Sequence, residues 1–189
     1  MKKKILTVVL FLILLCGVVG TTAYYTTQGT ARNVITSGNI RVDLQEWGDL
    51  AMTEPFENPE GIVPDDVVTK VVTARNIGSN PAWIRIRVDK SFKLVEESEA
   101  AKEAAEKEES LIVLDINTTD WTEKDGWYYY NTPLEPNAVS KPLFTTVSFD
   151  EEMSNVWQGG QVIIDITMNA VQVANNGTAV MEAAGWSAE

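Results

Sequence analysis

The sequence predicts an antiparallel, mainly β sandwich carrying one short surface helix as an insertion. Three observations predict it. Apolar and polar residues alternate in several short runs, as they do when one sheet face meets a core and the other meets water. Turn chemistry falls between those runs. A single stretch rich in Glu, Ala and Lys, 96–110, breaks the two-residue rhythm with strong helix formers.

Ile40-Arg41-Val42-Asp43-Leu44 opens the series with strict alternation. Pro55, Pro59 and Pro64 then cluster in an acidic loop expected to cross the sandwich. Residues 67–74 form a less regular strand candidate, closed by the turn signal Asn76-Ile77-Gly78-Ser79-Asn80-Pro81. In 82–88 the alternation returns: Ala82, Ile84, Ile86 and Val88 point one way, Trp83, Arg85 and Arg87 the other. Within 96–110, Ser98 is placed to cap a helix, and Glu99 with Lys102 and Glu103 with Lys107 make attractive pairs at helical spacing. The apolar face of that segment is only alanine, so it reads as a solvated helix in a strand connection. The sharper alternative is an acidic patch that collects cations or binds a partner.

Further strand candidates are 111–116, 127–130 and 143–149, with Asp125-Gly126 as the turn before the aromatic run. Gly159-Gly160 leads into 162–169, where Val162, Ile164, Ile166 and Met168 face inward and Asp165, Thr167 and Asn169 outward. Residues 177–186 are expected to form another short helix, with Trp186 tucked against the sheet.

Ahead of the strands stands an export signal. Lys2, Lys3 and Lys4 form a basic start, and 5–19 is an uncharged apolar run of 15 residues. That is short of the roughly 20 residues needed to span a bilayer. Small residues follow in Gly20-Thr21-Thr22-Ala23, which sets the expected cleavage between Ala23 and Tyr24 and divides the chain into a leader, 1–23, and one domain, 24–189. The competing reading is an uncleaved anchor, in which case the leader is the chain's membrane contact. Cys16 could suggest lipid attachment, but the bulky Leu15 before it argues against that.

Removing 23 of the 189 residues leaves 166, enough for one domain with a real core. Three lysines and no acid go with the leader, so a net charge of −12 becomes −15. Such a surface repels nucleic acid and anionic lipid. Cys16 is the only cysteine and there is no histidine, so the domain must stand without disulfides. The same absences exclude His-based zinc hydrolases, Ser-His-Asp triads and Cys-His dyads. No catalytic residue, metal ligand or cofactor is expected.

Several blocks, taken in order, resemble the TasA/camelysin family of exported proteins of Gram-positive bacteria. They are Tyr24-Tyr25-Thr26 directly after the small-residue site, and Asn33-Val34-Ile35-Thr36-Ser37-Gly38-Asn39-Ile40. Next come Val71-Val72-Thr73-Ala74-Arg75-Asn76-Ile77-Gly78, followed by Ala82-Trp83-Ile84-Arg85. Asp125-Gly126-Trp127-Tyr128-Tyr129-Tyr130, Leu134-Glu135-Pro136-Asn137 and Leu143-Phe144 continue the series, and Ala170-Val171-Gln172-Val173-Ala174-Asn175 closes it. The match covers nearly all of the chain except the Glu/Ala/Lys segment. One departure is Asn137, where relatives often carry glycine; asparagine tolerates the same left-handed geometry.

The resemblance implies a jelly-roll-like sandwich, processed by a SipW-type signal peptidase, secreted, and assembled with itself or related subunits into fibres of a biofilm matrix. It further implies that the new N-terminus, 24–34, with Tyr24, Tyr25, Thr26, Thr27 and Val34, serves as a donor strand for a neighbouring subunit. That segment is rich in β-formers and carries one charge, Arg32. The alternative is that it pairs within its own sheet.

The camelysin name implies a metallo-endopeptidase. The residues argue against it: a site would need carboxylates alone, and Asp65-Asp66, Glu96-Glu97-Glu99 and Asp150-Glu151-Glu152 lack the spacing of a calcium loop. A third reading, a cell-surface glycan-binding module, rests on Trp121, Trp127, Tyr128, Tyr129 and Tyr130, with Trp127 and Tyr129 on one strand face.

Overall fold

A computed structural model describes residues 32–33, 40–95, 98–154 and 159–186. They form ten strands: β1 (Arg32–Asn33), β2 (Val42–Trp47), β3 (Val67–Thr69), β4 (Val71–Asn76), β5 (Ala82–Lys93), β6 (Ile112–Leu114), β7 (Trp121–Lys124), β8 (Trp127–Tyr130), β9 (Thr146–Phe149) and β10 (Gln161–Gln172). One helix, α1 (Glu99–Glu108), and short 3-10 turns at Glu109–Leu111 and Val180–Glu182 complete the described elements.

The first sheet has the order β1-β10-β5-β8-β7. Its spine is a full-length antiparallel ladder in which Gln161 faces Lys93 and Gln172 faces Ala82. The second sheet is built from β2-β4 and β3-β9-β6. Main-chain bonds make these one layer: Lys70 N–H donates to Thr145, Val72 to Phe144, Leu143 to Val72, Ser140 to Ala74 and Asn76 to Ala138. Residues 138–145 thus line β4 on the flank opposite β2 and run on into β9. The connections β4–β5, β5–β6, β6–β7, β8–β9 and β9–β10 each cross from one sheet to the other, the habit of a jelly-roll-like sandwich.

The alternation read from the sequence sets the faces. Ala82, Ile84 and Ile86 of β5, Ile166, Met168 and Ala170 of β10, Val72 and Ala74 of β4, and Val147 and Phe149 of β9 share one core with Trp121, Tyr130, Leu143 and Phe144. Each large member contributes about 1.5–3 kcal/mol through burial. Glu46 and Lys70 bring one ion pair, 2.7 Å apart, to the side of this core.

The outer face of the first sheet is also covered. Trp83, Trp127, Tyr129 and Val171 form a second cluster with Val180, and Val173, Ala183 and Trp186 pack against it. The Trp186 ring meets Tyr129 edge-on at 5.7 Å. The Arg85 guanidinium lies 4.0 Å from the Trp127 ring and 4.9 Å from that of Trp186. Trp186 therefore sits against the sheet as expected, while the helix expected before it shortens to Val180–Glu182. Ala179 and Ala183 on either side of that turn are extended, and Gly177 and Gly185 further out adopt positive φ, which the interior of an α-helix does not accept.

Local signals hold elsewhere. Ser98 caps α1 by accepting from the Ala101 N–H, and the pairs Glu99 with Lys102 and Glu103 with Lys107 form at 3.3 and 2.8 Å. Asp125 and Gly126 both take positive φ in the two-residue β7–β8 hairpin, the signature of a type I′ turn. Trp121–Lys124 has no sequence signal of its own, because Thr122, Glu123 and Lys124 are all exposed on an edge strand. Asn137 adopts φ 65°, the geometry in which asparagine substitutes for glycine. Asn137→Ala should cost about 1 kcal/mol in urea unfolding while Asn137→Gly stays near neutral.

Asp115 fastens the entry to β9. Its carboxylate accepts from the Thr145 and Thr146 backbone N–H groups at 2.7 and 2.6 Å and from the Thr145 hydroxyl. Burial pushes the carboxyl pKa up, but the Thr145 hydroxyl and the two amides outweigh burial and hold it below the ordinary 3.8. A depressed carboxyl pKa gives stability that is present above 3.8 and lost as pH falls through the folded-state value. Asp115→Asn should lose about 1 kcal/mol at pH 6, after allowing for solvent screening. Urea titrations of both proteins should converge as pH falls through that lower, folded-state value, and a gap unchanged well below it would contradict the assignment.

Candidate functional site: the outer edge of the longest ladder

β10 and β5 are each 12 residues long, whereas β8 pairs with β5 only at Arg85 and Ile86. The far half of the β5–β10 ladder therefore runs beyond the other described strands of its sheet. On the flank of β10 away from β5, the described partner is β1, whose Arg32 and Asn33 pair in parallel with Thr167 and Met168. Among the described residues, no strand and no backbone hydrogen bond lies on that flank along 161–166. Those residues read Gln-Val-Ile-Ile-Asp-Ile, with four large β-formers and one charge. A strand edge of this composition, where it is left open, is a template for another strand.

Two residues of the candidate donor segment thus stand at a sheet edge of their own chain. Ala23, Tyr24, Tyr25, Thr26, Thr27 and Val34 lie outside the described residues, as do the leader and its cleavage point. The β10 edge itself escaped sequence reasoning. Its alternation announced a strand with one face inward, and pairing order is not written in alternation. The low charge of 161–166 was the signal available.

The acidic clusters serve turns. Asp66 accepts from the Val63 N–H at 2.8 Å, and Asp150 from the Glu152 N–H at 2.9 Å. Glu96 and Glu97 lie outside the described residues. Among the described residues, no group of three or more acidic, His or Cys side chains stands together as a metal cage. An open cleft of about 590 Å³ lies between Gly48, Glu54–Glu57 and Val68-Thr69. The aromatic run is committed to packing: Trp127 and Tyr129 are in the second cluster, and Tyr130 is in the main core with Trp121, ring centroids 4.9 Å apart. With Trp127 at 6% exposure and Tyr129 at 8%, that face presents no open stacking platform for a sugar. Among the described residues, no helix is long and apolar enough to cross a membrane. Comparison with protein-family models gives no matching family, and a search of curated proteins gives no match.

Proposed function

We propose that this chain is an exported structural protein of an extracellular matrix, which associates with copies of itself or related subunits by adding an N-terminal strand to a sheet edge. Signal peptidase cleaves between Ala23 and Tyr24 and frees the segment 24–34. The observation that carries the reading is the parallel seat of Arg32 and Asn33 on the β10 edge. A strand that joins a sheet from the chain terminus, at its outermost position, can be supplied by one molecule to another without unthreading a core. The order of blocks resembling the TasA/camelysin family supports the same reading, as does a leader with a basic start and an apolar run.

The test is electron microscopy of the exported protein, with N-terminal sequencing. Fibres that begin from a Tyr24 N-terminus and disappear when 24–34 is deleted are the expected result. Fibres that survive the deletion would refute strand addition. Chelator-sensitive cleavage of casein by the purified protein would move the reading to the peptidase.

A further inference from the structure

We propose that Asn176 is a site of spontaneous modification, gated by the C-terminal strap of residues 177–186, and that its conversion holds the strap away from the sheet. The inference concerns the strap and the outer face of the first sheet, and it stands apart from strand addition.

The strap covers Trp83, Trp127, Tyr129 and Val171 with the side chains of Val180, Ala183 and Trp186. The Asn176 carboxamide ties its root to its far end. Asn176 Nδ2 donates to the Gln172 and Ala184 carbonyls, both at 3.0 Å, and Asn176 Oδ1 accepts from the Ala184 N–H at 2.8 Å. The Asn176 carbonyl also accepts from the Trp83 indole N–H at 3.3 Å. The side-chain bonds require an amide at 176, because a carboxamide carries donor and acceptor on one planar group. Residue 177 must be glycine for a different reason. Its φ is 81°, and a Cβ there would meet that of Glu182 at 2.9 Å. Two separate structural demands therefore create Asn176-Gly177, the one Asn-Gly step in the sequence.

Asparagine followed by glycine is the most reactive of asparagine steps, because glycine leaves its backbone nitrogen unshielded. The Gly177 nitrogen gives its proton to hydroxide and attacks Asn176 Cγ, forming a C–N bond. The Cγ–Nδ2 bond breaks, and ammonia leaves with a proton from water. Water then opens the succinimide at either carbonyl, giving isoaspartate or aspartate, with no change in oxidation state. Attack requires the carboxamide to turn toward Gly177. Two of its three hydrogen bonds go to Ala184, inside the strap, so the ring closes only after the strap lifts. Local opening of this kind breaks far fewer contacts than global unfolding. The product cannot resume the old bonds. A carboxylate has no donor, and it would face the Gln172 and Ala184 carbonyls with a negative charge. Isoaspartate also lengthens the main chain by a methylene ahead of Gly177. A reversible opening thereby becomes a lasting one, and the face of Trp83, Trp127 and Tyr129 stays uncovered.

The experiment incubates the natively folded full chain, exported from a bacterial host, at mildly alkaline pH. Mass spectrometry follows the peptide that carries Asn176, and isoaspartyl methyltransferase labelling identifies isoaspartate. Conversion in the folded protein should be measurable, yet at least about tenfold slower than in urea-unfolded protein. Trp186→Ala should speed it about tenfold by weakening the strap. Val180→Ala tests the same point should the first variant fold poorly, with circular dichroism confirming that each is folded. The separated product, and Asn176→Asp as its stand-in, should show red-shifted tryptophan emission and faster proteolysis within 177–186. Equal rates in folded and unfolded protein, no conversion in the folded chain, or rates unmoved by folded strap variants overturn the gated site. A product whose emission and proteolysis match those of the parent overturns the lasting release.

Discussion

Asn76→Asp should be the most damaging near-isosteric substitution in this protein, lowering stability by about 3–5 kcal/mol. Asn76 is fully buried at the end of β4. Its amide nitrogen donates to the Asn80 and Leu134 carbonyls, both at 2.8 Å, and its amide oxygen accepts from the Gly78 N–H at 2.9 Å. Its backbone binds both Ala138 and Asn137. One side chain thereby ties the 77–81 turn to the connection between β8 and β9. An aspartate has the same outline but no donor, so two buried carbonyls would lose their partners and face a carboxylate. Urea unfolding at pH 7 measures the effect. Below the ordinary aspartate range, protonation should recover part of the loss, because a protonated carboxyl can donate once. A cost under 1 kcal/mol would show that the turn does not depend on this group.

Glu46→Ala is the second large effect, expected at about 2–4 kcal/mol. Lys70 is 7% exposed in its side chain and 2.7 Å from Glu46, with its ammonium 3.9 Å from the Phe56 ring centre. Burial pushes the Lys70 pKa below 10.5, and the Glu46 carboxylate opposes only part of that shift. A depressed lysine pKa means that folding disfavours the charged form. The charge on Lys70 thus costs stability at neutral pH, and the cost fades as pH rises through the depressed value toward 10.5. Removing Glu46 leaves that cation with the Phe56 face alone. Replacing both partners, Glu46→Leu with Lys70→Met, should be close to neutral, since neither charge is then withdrawn from water. A double-mutant cycle read by denaturant unfolding separates the two cases. Equal losses for Glu46→Ala and the double variant would deny the pair its role.

The Asn76 result also shows how a local motif and a fold meet. Asn-x-Gly was legible as a turn because asparagine offers a side-chain acceptor to the amide two residues on, and that bond is present. The same holds for Ser98, Asp125-Gly126 and Asn137, where one or two residues decide a backbone angle or a cap. Strand faces were legible in 82–88 and 162–169 because a period of two leaves no choice of face once one side is apolar. What the pattern did not carry was Trp121–Lys124, which has no alternation, and the second buried face at Trp83, Trp127 and Tyr129. The cover of that face comes from Val180 and Trp186, 97 and 103 positions after Trp83.

By itself, then, the sequence determined the class of this protein: a β-sandwich with a capped surface helix, strands with assigned inner faces, and turns set by asparagine, aspartate and glycine. These are short-range properties, fixed by steric limits and by hydrogen bonds within a few residues. Tertiary structure alone decided the order of strands, the joining of β4 to β9 through 138–145, and the standing of β10 with β1 on its outer flank. Backbone pairing depends on the nearly uniform chemistry of amides, which any strand can offer to any other. Which edges meet is settled only when the core closes and one arrangement buries the most apolar surface.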